Sequence, residues 1–112
     1  MAAKFDLKTA KDGQFMFNLK AANGEIILTS ELYRTKQGAE GGIAATRANG
    51  ADDAKFERKT SKSDQPYFVL KAANGETIGQ SEMYSSTAAM EKGIESVRTN
   101  APVAVISDMT EA

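Results

Sequence analysis

Two sets of residues in this sequence combine side chains that can bind ligands or move protons. Each set is Glu-x-Tyr with a later arginine: Glu31, Tyr33 and Arg47, and Glu82, Tyr84 and Arg98. Residues two apart on a strand share a face, so each glutamate should lie beside its tyrosine. A guanidinium next to them could anchor an anion or a peptide. The alternative, which these residue types favour, is a structural Glu–Arg ion pair covered by the tyrosine.

The residue types that are missing narrow the chemistry further. The chain contains no His, Cys or Trp. This removes a histidine base, a cysteine nucleophile and the usual ligands of zinc and haem. A metal would need an all-oxygen site, for which Asp52-Asp53 is the one candidate, but no further oxygen ligands follow it. We therefore assign that pair to a solvated linker and expect neither catalysis nor a cofactor.

The bulk composition predicts an ordinary soluble domain. The chain has 112 residues, of which 41% are hydrophobic and 26% charged. The N-terminus lacks the apolar segment of a secretory signal, and no apolar run approaches the roughly 20 residues that span a membrane. We therefore expect a cytoplasmic protein without membrane contact. The net charge of −1 gives no overall attraction to nucleic acid.

The sequence is one motif written twice. The segment Leu19–Glu25 recurs as Leu70–Glu76, at an offset of 51 residues (74 − 23). The same offset, without a gap, maps three more segments onto their copies: Lys4-Phe5 onto Lys55-Phe56, Ser30–Tyr33 onto Ser81–Tyr84, and Gly42-Ile43 onto Gly93-Ile94. Chance does not give such matches in order over this length, so the chain is a tandem duplication.

Each repeat predicts three strands. In repeat one they are expected at 4–9, 14–21 and 25–33, and in repeat two at the positions 51 residues later. Phe15, Phe17 and Leu19 recur at every second position, which is the period of a half-buried strand. Asn23-Gly24 and Asn74-Gly75 lie between the second and third strands. They predict type I′ hairpin turns, whose two central residues both need positive φ.

A helix is expected to close each repeat. The expected N-caps are Thr35 and Ser86. Gly42 and Gly93 fall inside the helices, where glycine costs about 1 kcal/mol relative to alanine. Further glycines at 38 and 41 leave the length of the first helix open. The simpler interpretation of Gly42 and Gly93 is close packing of helix against sheet. The other is a shallow groove beside the helix that admits a ligand or peptide.

The two repeats are expected to form one domain. One three-stranded sheet with one helix leaves much apolar surface uncovered. Repeats 4–50 and 55–101 should therefore pack about a pseudo-two-fold axis as an α+β domain, with an antiparallel sheet of about six strands and two helices. In the tail, 102–112, the segment 103–106 aligns with the first strand and should dock on the sheet. We expect a monomer, with exposed edge strands as the route to a dimer.

Lysines shared by the two repeats suggest a second kind of surface. They are Lys4, Lys8, Lys11, Lys20, Lys55, Lys59, Lys62 and Lys71. The default interpretation is a solvated outer sheet face that discourages edge pairing. An RNA-binding sheet would need exposed aromatic residues among the lysines, and Tyr67 alone qualifies. Nucleic acid is therefore not the expected partner.

The repeated pattern resembles a known family. Phe-x-Leu-Lys-Ala-x-Asn-Gly-Glu, then Ser-Glu-x-Tyr, then Gly-Ile-x-x-x-Arg-x-Asn is similar to the YegP-like, or UPF0339, family of small bacterial proteins, in its duplicated form. Its module is the domain of unknown function 1508. The resemblance implies tandem β-β-β-α repeats and no particular activity. Together with the missing catalytic residues, it favours a non-enzymatic binding or interaction module for an unidentified protein or small ligand. The alternative is weak nucleic-acid or polyanion binding through the lysine-bearing face.

Overall fold

The computed structural model describes residues 3–110, which form one sheet and two helices. The strands are β1 Lys4–Thr9, β2 Phe15–Lys20, β3 Ile26–Ser30, β4 Phe56–Thr60, β5 Pro66–Lys71, β6 Thr77–Gln80 and β7 Val105–Asp108. The helices are α1 Lys36–Asn49 and α2 Thr87–Asn100. Met1, Ala2, Glu111 and Ala112, which belong to the expected N-terminus and tail, lie outside the described residues.

The strand order is β4-β5-β6-β3-β2-β1-β7. Each repeat contributes an antiparallel meander, the two meanders join through β3 and β6, and β7 pairs with β1 in parallel. This confirms the predicted α+β class with two repeats. The sheet of about six antiparallel strands is corrected: within residues 3–110 it has seven strands and is mixed, because the tail adds a parallel edge strand.

The axis that relates the two repeats can be located on one residue pair. Thr29 pairs with Gln80 across β3 and β6, and these residues occupy the same position in the two repeats (80 − 29 = 51). The axis therefore passes between them. Beside it, Gly79 pairs with Ser30, and a Cβ on Gly79 would lie 2.6 Å from the backbone oxygen of Thr29. Close backbone approach at the axis thus accounts for a glycine inside a strand.

One face of the sheet carries both helices. The inward side chains of the strands, such as Phe5, Phe17 and Phe68, are fully buried in one cluster with Ile43 of α1 and Ile94 of α2. The opposite face has no helix packed on it in the described part of the chain. Each helix covers only part of the sheet face on which it packs, so the strands beside it stay accessible along the side of the helix. The grooves described below lie there.

Both helices begin at the predicted residues. The Thr35 side chain accepts a hydrogen bond from the Gly38 backbone N–H (2.9 Å), and the Ser86 side chain accepts one from Ala89 (3.1 Å). Each helix has 14 residues. The additional glycines of repeat one therefore do not shorten α1, since burial of its Ile43 against the sheet holds it in place.

The hairpin turns differ from the expected type. Gly24 has a φ of 89°, but Asn23 does not take a positive φ. The Gly24 N–H donates to the Ala21 carbonyl (2.9 Å), and the Asn23 side-chain oxygen accepts from the Glu25 N–H (3.0 Å). The loop therefore has three residues and ends in a glycine bulge, rather than being a two-residue type I′ turn. Because the asparagine side chain braces the turn, only the glycine needs the left-handed conformation. Repeat two has the same bonds.

The C-terminal tail forms a strand at Val105–Asp108, shifted from the expected 103–106. It lies along β1, where the Val105 N–H donates to Ala3 (3.2 Å) and the Met109 N–H donates to Leu7 (2.7 Å). Asp108 forms an ion pair with Lys36 at the start of α1. The hydrogen bond from Lys36 holds the pKa of Asp108 well below its usual range.

Candidate functional site

A buried serine lies at the end of the third strand of each repeat and places the Glu-x-Tyr that follows: Ser30 is the last residue of β3, and Ser81 is the first residue after β6. The Ser30 hydroxyl accepts a hydrogen bond from the Phe17 N–H (2.8 Å) and donates one to the Glu31 carbonyl (2.8 Å). Ser81 makes the equivalent bonds in repeat two, with lengths of 3.0 and 2.8 Å. Each hydroxyl thus replaces a ladder bond at the point where the chain leaves the sheet.

Each tyrosine then lies between the core and the glycine of the helix. The Tyr33 ring stacks on Phe17 with centroids 6.4 Å apart, and a Cβ on Gly42 would overlap the Tyr33 hydroxyl. Tyr84 stacks on Phe68 at 6.2 Å and lies in the same way over Gly93. Close packing at the helix glycine, the simpler interpretation, is therefore observed in both repeats, and it leaves room for a half-buried tyrosine at the edge of each helix.

Two grooves open beside these tyrosines, and each is built from both repeats. Groove 1, with a volume of about 520 Å³, is lined by Glu31, Tyr33, Gly42 and Ala45 of repeat one and by Ala72, Asn74, Glu76, Thr77 and Ile78 of repeat two. Groove 2, of about 190 Å³, is lined by Glu82, Tyr84, Ala89, Lys92, Gly93 and Ser96 of repeat two and by Ala21, Asn23, Glu25, Ile26 and Ile27 of repeat one. The offset of 51 relates most of these residues in pairs, so the grooves are one site made twice.

The antiparallel contact of β3 with β6 explains why each groove needs both repeats. Two antiparallel strands bring the end of one beside the start of the other. The end of β3, where Tyr33 follows, therefore meets the hairpin that precedes β6. The hairpin asparagine holds its glutamate in place: Asn74 Nδ2 donates to Glu76 (3.0 Å), and Asn23 Nδ2 donates to Glu25 (2.9 Å).

Two glutamates line each groove, one from each repeat, and groove 2 also contains Lys92. Burial raises the pKa of Tyr33 above its usual value, and the charges of Glu31 and Glu76 raise it further. The pKa of Tyr84 is raised by burial and then by Glu82 and Glu25. Each phenol thus shares its groove with one glutamate from its own repeat and one from the other.

A third hollow connects the grooves across the axis. It has a volume of about 510 Å³ and is lined by Ile26, Thr29, Ser30, Glu31, Gln80, Ser81 and Glu82. Glu31 lines both this hollow and groove 1, and Glu82 lines both this hollow and groove 2. The β3–β6 register separates the two glutamates by four residue positions, which at about 3.4 Å per residue places them roughly 14 Å apart along the strands.

The structure separates the arginines from the glutamates and tyrosines with which the sequence grouped them. Arg47 donates to the Ala104 carbonyl (2.7 Å) and lies over the Phe5 ring, 5.5 Å from its centroid. Arg98 reaches the Ala51 carbonyl (3.4 Å). Within residues 3–110 the expected Glu–Arg pairs do not form, because both arginines lie near the C-terminal ends of their helices, away from the tyrosines at the other edge.

Sequence reasoning missed the hairpin residues as parts of the site. It assigned Asn23, Gly24, Asn74 and Gly75 to turns, which is correct, and gave Glu25 and Glu76 no role. The signal was available: both glutamates occur at the same place in the two repeats, next to an exposed turn. Finding them also required the register of β3 on β6, which the sequence does not state.

The open sheet face carries lysines in ion pairs. Lys20 lies 2.8 Å from the buried Asp6, and Lys71 lies 3.2 Å from Glu57. The hydrogen bond from Lys71 lowers the pKa of Glu57, with a further contribution from the charge of Lys59. These pairs reduce the positive charge that the lysines would otherwise present to a polyanion.

The linker acids have structural roles. Asp52 accepts from the Ala54 N–H (3.0 Å), and Asp53 pairs with Arg58 (3.0 Å), which also binds Glu91 of α2. In the part of the chain that the structure describes, no three acidic side chains are grouped to hold a metal ion. None of the described helices is long and apolar enough to cross a membrane.

Comparison with known proteins now assigns the chain to a family. A model of the family described as domain of unknown function DUF1508 matches residues 10–57 and, a second time, residues 61–108. The chain belongs to this family. The earlier resemblance is thereby confirmed, and the DUF1508 module is present in two copies.

Relatives that match nearly the whole of this chain include UPF0339 proteins. The chain is 56% identical to one from Mannheimia succiniciproducens, with 96% of each chain covered. It is 58% identical to one from Pasteurella multocida, over 95% of this chain and 93% of the relative. The solution NMR structure of a UPF0339 protein from Shewanella oneidensis matches with a TM-score of 0.92 and 48% identity, covering 98% of this chain and 93% of that one. That of yegP from E. coli, a protein of unknown function, matches with a TM-score of 0.94 and 46% identity, covering 100% and 97%.

Proposed function

We propose that this protein is a non-enzymatic binding module whose two grooves receive organic cations, such as the ammonium or guanidinium groups of a protein partner. The observation that carries the proposal is the duplication of the grooves. The carboxylate–tyrosine arrangement is rebuilt on opposite sides of the axis from equivalent residues. A cation is complementary in charge to the glutamates, and it can also contact the aromatic ring.

Exposed apolar side chains that are adjacent in sequence to the groove residues support a polypeptide partner. Leu32 is 59% exposed, and its counterpart Met83 is 40% exposed. Each of them lies between the glutamate and the tyrosine of its groove. A polypeptide can place a basic side chain in a groove and an apolar one on the adjoining Leu or Met, whereas a simple inorganic cation gains nothing from the apolar surface.

The tyrosines themselves argue for binding rather than catalysis. A general base works best when its pKa lies near the working pH. The raised pKa values of Tyr33 and Tyr84 move both phenols away from neutrality. A polyanion on the opposite face is not part of the proposal, because Asp6 and Glu57 are paired with lysines there.

The proposal can be tested by NMR titration of the labelled protein with Nα-acetyl-arginine methylamide, a small guanidinium probe. We expect chemical-shift changes at the amides of Gly42 and Asn74 in groove 1 and at those of Gly93 and Asn23 in groove 2. A Glu31→Gln/Glu76→Gln variant should lose the groove 1 response, because the carboxylates are neutralised without a change of shape. The bound cation should also lower the raised pKa of Tyr33.

Two controls make this titration decisive. Glu95→Gln removes an exposed acid on α2 that lines neither groove, and it should leave the response unchanged. Arg98→Gln should also leave it unchanged, because that guanidinium is directed to Ala51. Shifts confined to other surfaces, or a response that survives the double Glu→Gln change, would remove the grooves from consideration.

A further inference from the structure

We infer that the two grooves have diverged in the charge they select, with Lys92 as the determining residue. Groove 1 takes a purely cationic group, whereas groove 2 takes a group that carries a carboxylate as well as a cation. This inference rests on the proposed binding function and names the ligand class of each groove.

The charges that line the grooves differ by one residue. Each groove contains two glutamates, one from each repeat. Groove 2 also contains Lys92, whose counterpart in repeat one is Gly41 (92 − 41 = 51). Among the described residues groove 1 is lined by no lysine or arginine. An ammonium group beside two carboxylates offers an ion-pairing partner for a ligand carboxylate, which groove 1 cannot provide.

The groove that contains the additional lysine is also the smaller one. Groove 2 has about 190 Å³ where groove 1 has about 520 Å³. Ala89 takes the place of Gly38, and Ile26 takes the place of Thr77. Together with Lys92, these larger side chains narrow groove 2. The glycines that weaken the helix propensity of α1 therefore have a consequence for binding, since they leave groove 1 open.

Lys92 is available to a ligand. It is exposed on α2, next to the Gly93 that seats Tyr84. Within residues 3–110 it takes part in no salt bridge, whereas Arg58 and Arg98 do. Lys92 thus lines groove 2 without an ion-pair partner among the described residues.

A matched pair of probes tests the inference: Nα-acetyl-arginine methylamide, which is a cation, and Nα-acetyl-arginine, which adds a free carboxylate. In NMR titrations we expect the methylamide to bind groove 1 more tightly than groove 2. The free carboxylate should weaken binding to groove 1 and strengthen binding to groove 2. One charge at this range and exposure corresponds to roughly a threefold to tenfold change in Kd.

Substitutions at Lys92 and at its counterpart Gly41 should reverse the probe preference of each groove. Lys92→Gln removes the charge while it keeps most of the length of the side chain, and it should make groove 2 prefer the methylamide. Gly41→Lys should give groove 1 a preference for the carboxylate probe, and a Cβ at Gly41 meets nothing within 4 Å. Gly41→Gln controls for bulk and should leave the preference of groove 1 unchanged. Far-UV circular dichroism and an unchanged amide spectrum elsewhere establish that each variant is folded.

The outcomes separate this inference from the function on which it rests. If neither probe shifts the amides of either groove, the proposed binding function fails. If both grooves bind both probes equally, or if Lys92→Gln leaves the preference of groove 2 as it was, the assignment of Lys92 fails while the binding function stands. If Gly41→Gln alters groove 1 as much as Gly41→Lys, bulk rather than charge governs selection, and the inference is again overturned.

Discussion

At the scale of single residues, duplication provides internal controls. Asp6 and Glu57 are counterparts on the open face, and each pairs with the counterpart lysine, Lys20 or Lys71. Their environments differ, since the Asp6 side chain is 4% exposed and that of Glu57 is 47% exposed. The same pair of charges therefore occurs once nearly buried and once in water.

This difference predicts unequal costs for the same change in the two repeats. Lys20→Met should lower the free energy of unfolding by about 1–3 kcal/mol, because it leaves the buried Asp6 carboxylate without its partner. Lys71→Met should cost much less, since water solvates the exposed Glu57. Urea denaturation at neutral pH measures both. Equal losses in the two variants would contradict the assigned role of burial.

Residue-level prediction succeeded for the buried strand face but not for the partners of the helix arginines. Alternation along the second strand predicted the buried face of Phe17 and Leu19, and the buried face is confirmed. The partner of Arg47 could not be predicted in this way. Whether a helix arginine meets a glutamate on the preceding strand depends on how the helix lies across the sheet. The same hydrophobic periodicity allows two orientations of the helix, and these would place the arginine on opposite sides.

At the scale of elements, the tail strand β7 is a short strand at the edge of the sheet. β7 has four residues, most of them exposed, and it lies parallel to β1. Arg47 binds the carbonyl that precedes it, and Lys36 binds Asp108 at its end. The family match explains why the tail forms a strand at all. Each module ends in a strand, so β7 is the counterpart of β4. β4 lies next to β5, but the equivalent place next to β2 is already occupied by β1.

We predict that Arg47→Gln releases β7 without unfolding the domain. The change removes the guanidinium from the Ala104 carbonyl and from the Phe5 ring. Amide exchange at Val105 and Met109, whose N–H groups donate to β1, should become at least tenfold faster while core amides keep their protection.

The counterpart arginine supplies the control for this experiment. Arg98→Gln should leave β7 exchange unchanged, because Arg98 contacts Ala51 instead. Protection of β7 that survives Arg47→Gln would show that its backbone bonds to β1 are sufficient.

The sequence predicted the elements better than their ends. Three strands and a helix per repeat follow from periodicity and caps, and they are present. The hairpin type was wrong because Asn-Gly serves two kinds of turn, and the choice depends on whether the asparagine side chain bonds to the chain two residues ahead.

At the scale of the whole molecule, the pairing of β3 with β6 joins the two antiparallel meanders into one sheet. The β3–β6 pairing at the axis is short, and it is closest at Gly79. Sequence comparison revealed the duplication and the need for a two-fold arrangement. It could not reveal that each groove combines a helix of one repeat with a hairpin of the other. That combination depends on the register of β3 on β6, in which Thr29 pairs with Gln80.

Substitution of Gly79 should therefore weaken the joint between the repeats. In Gly79→Ala the new methyl group would approach the Thr29 backbone, which cannot turn away as a side chain can, and we expect a loss of about 1–3 kcal/mol. Gly41→Ala is the control: its methyl group enters open space on a helix, and it should stabilise the protein by up to about 1 kcal/mol. Thermal unfolding measures both. A neutral Gly79→Ala would mean that the strands at the axis can separate slightly without cost.

The position of the axis also limits how the gene could have grown. Repeats related by translation leave a free face at each end, so units can be appended without limit. Here the units are related by rotation, and the β3 edge of one is used up by the β6 edge of the other. A third unit would find no vacant strand of the same kind, and β7 already lies across the edge of β1. Closure at two modules is thus a property of the symmetry, independent of what the grooves bind.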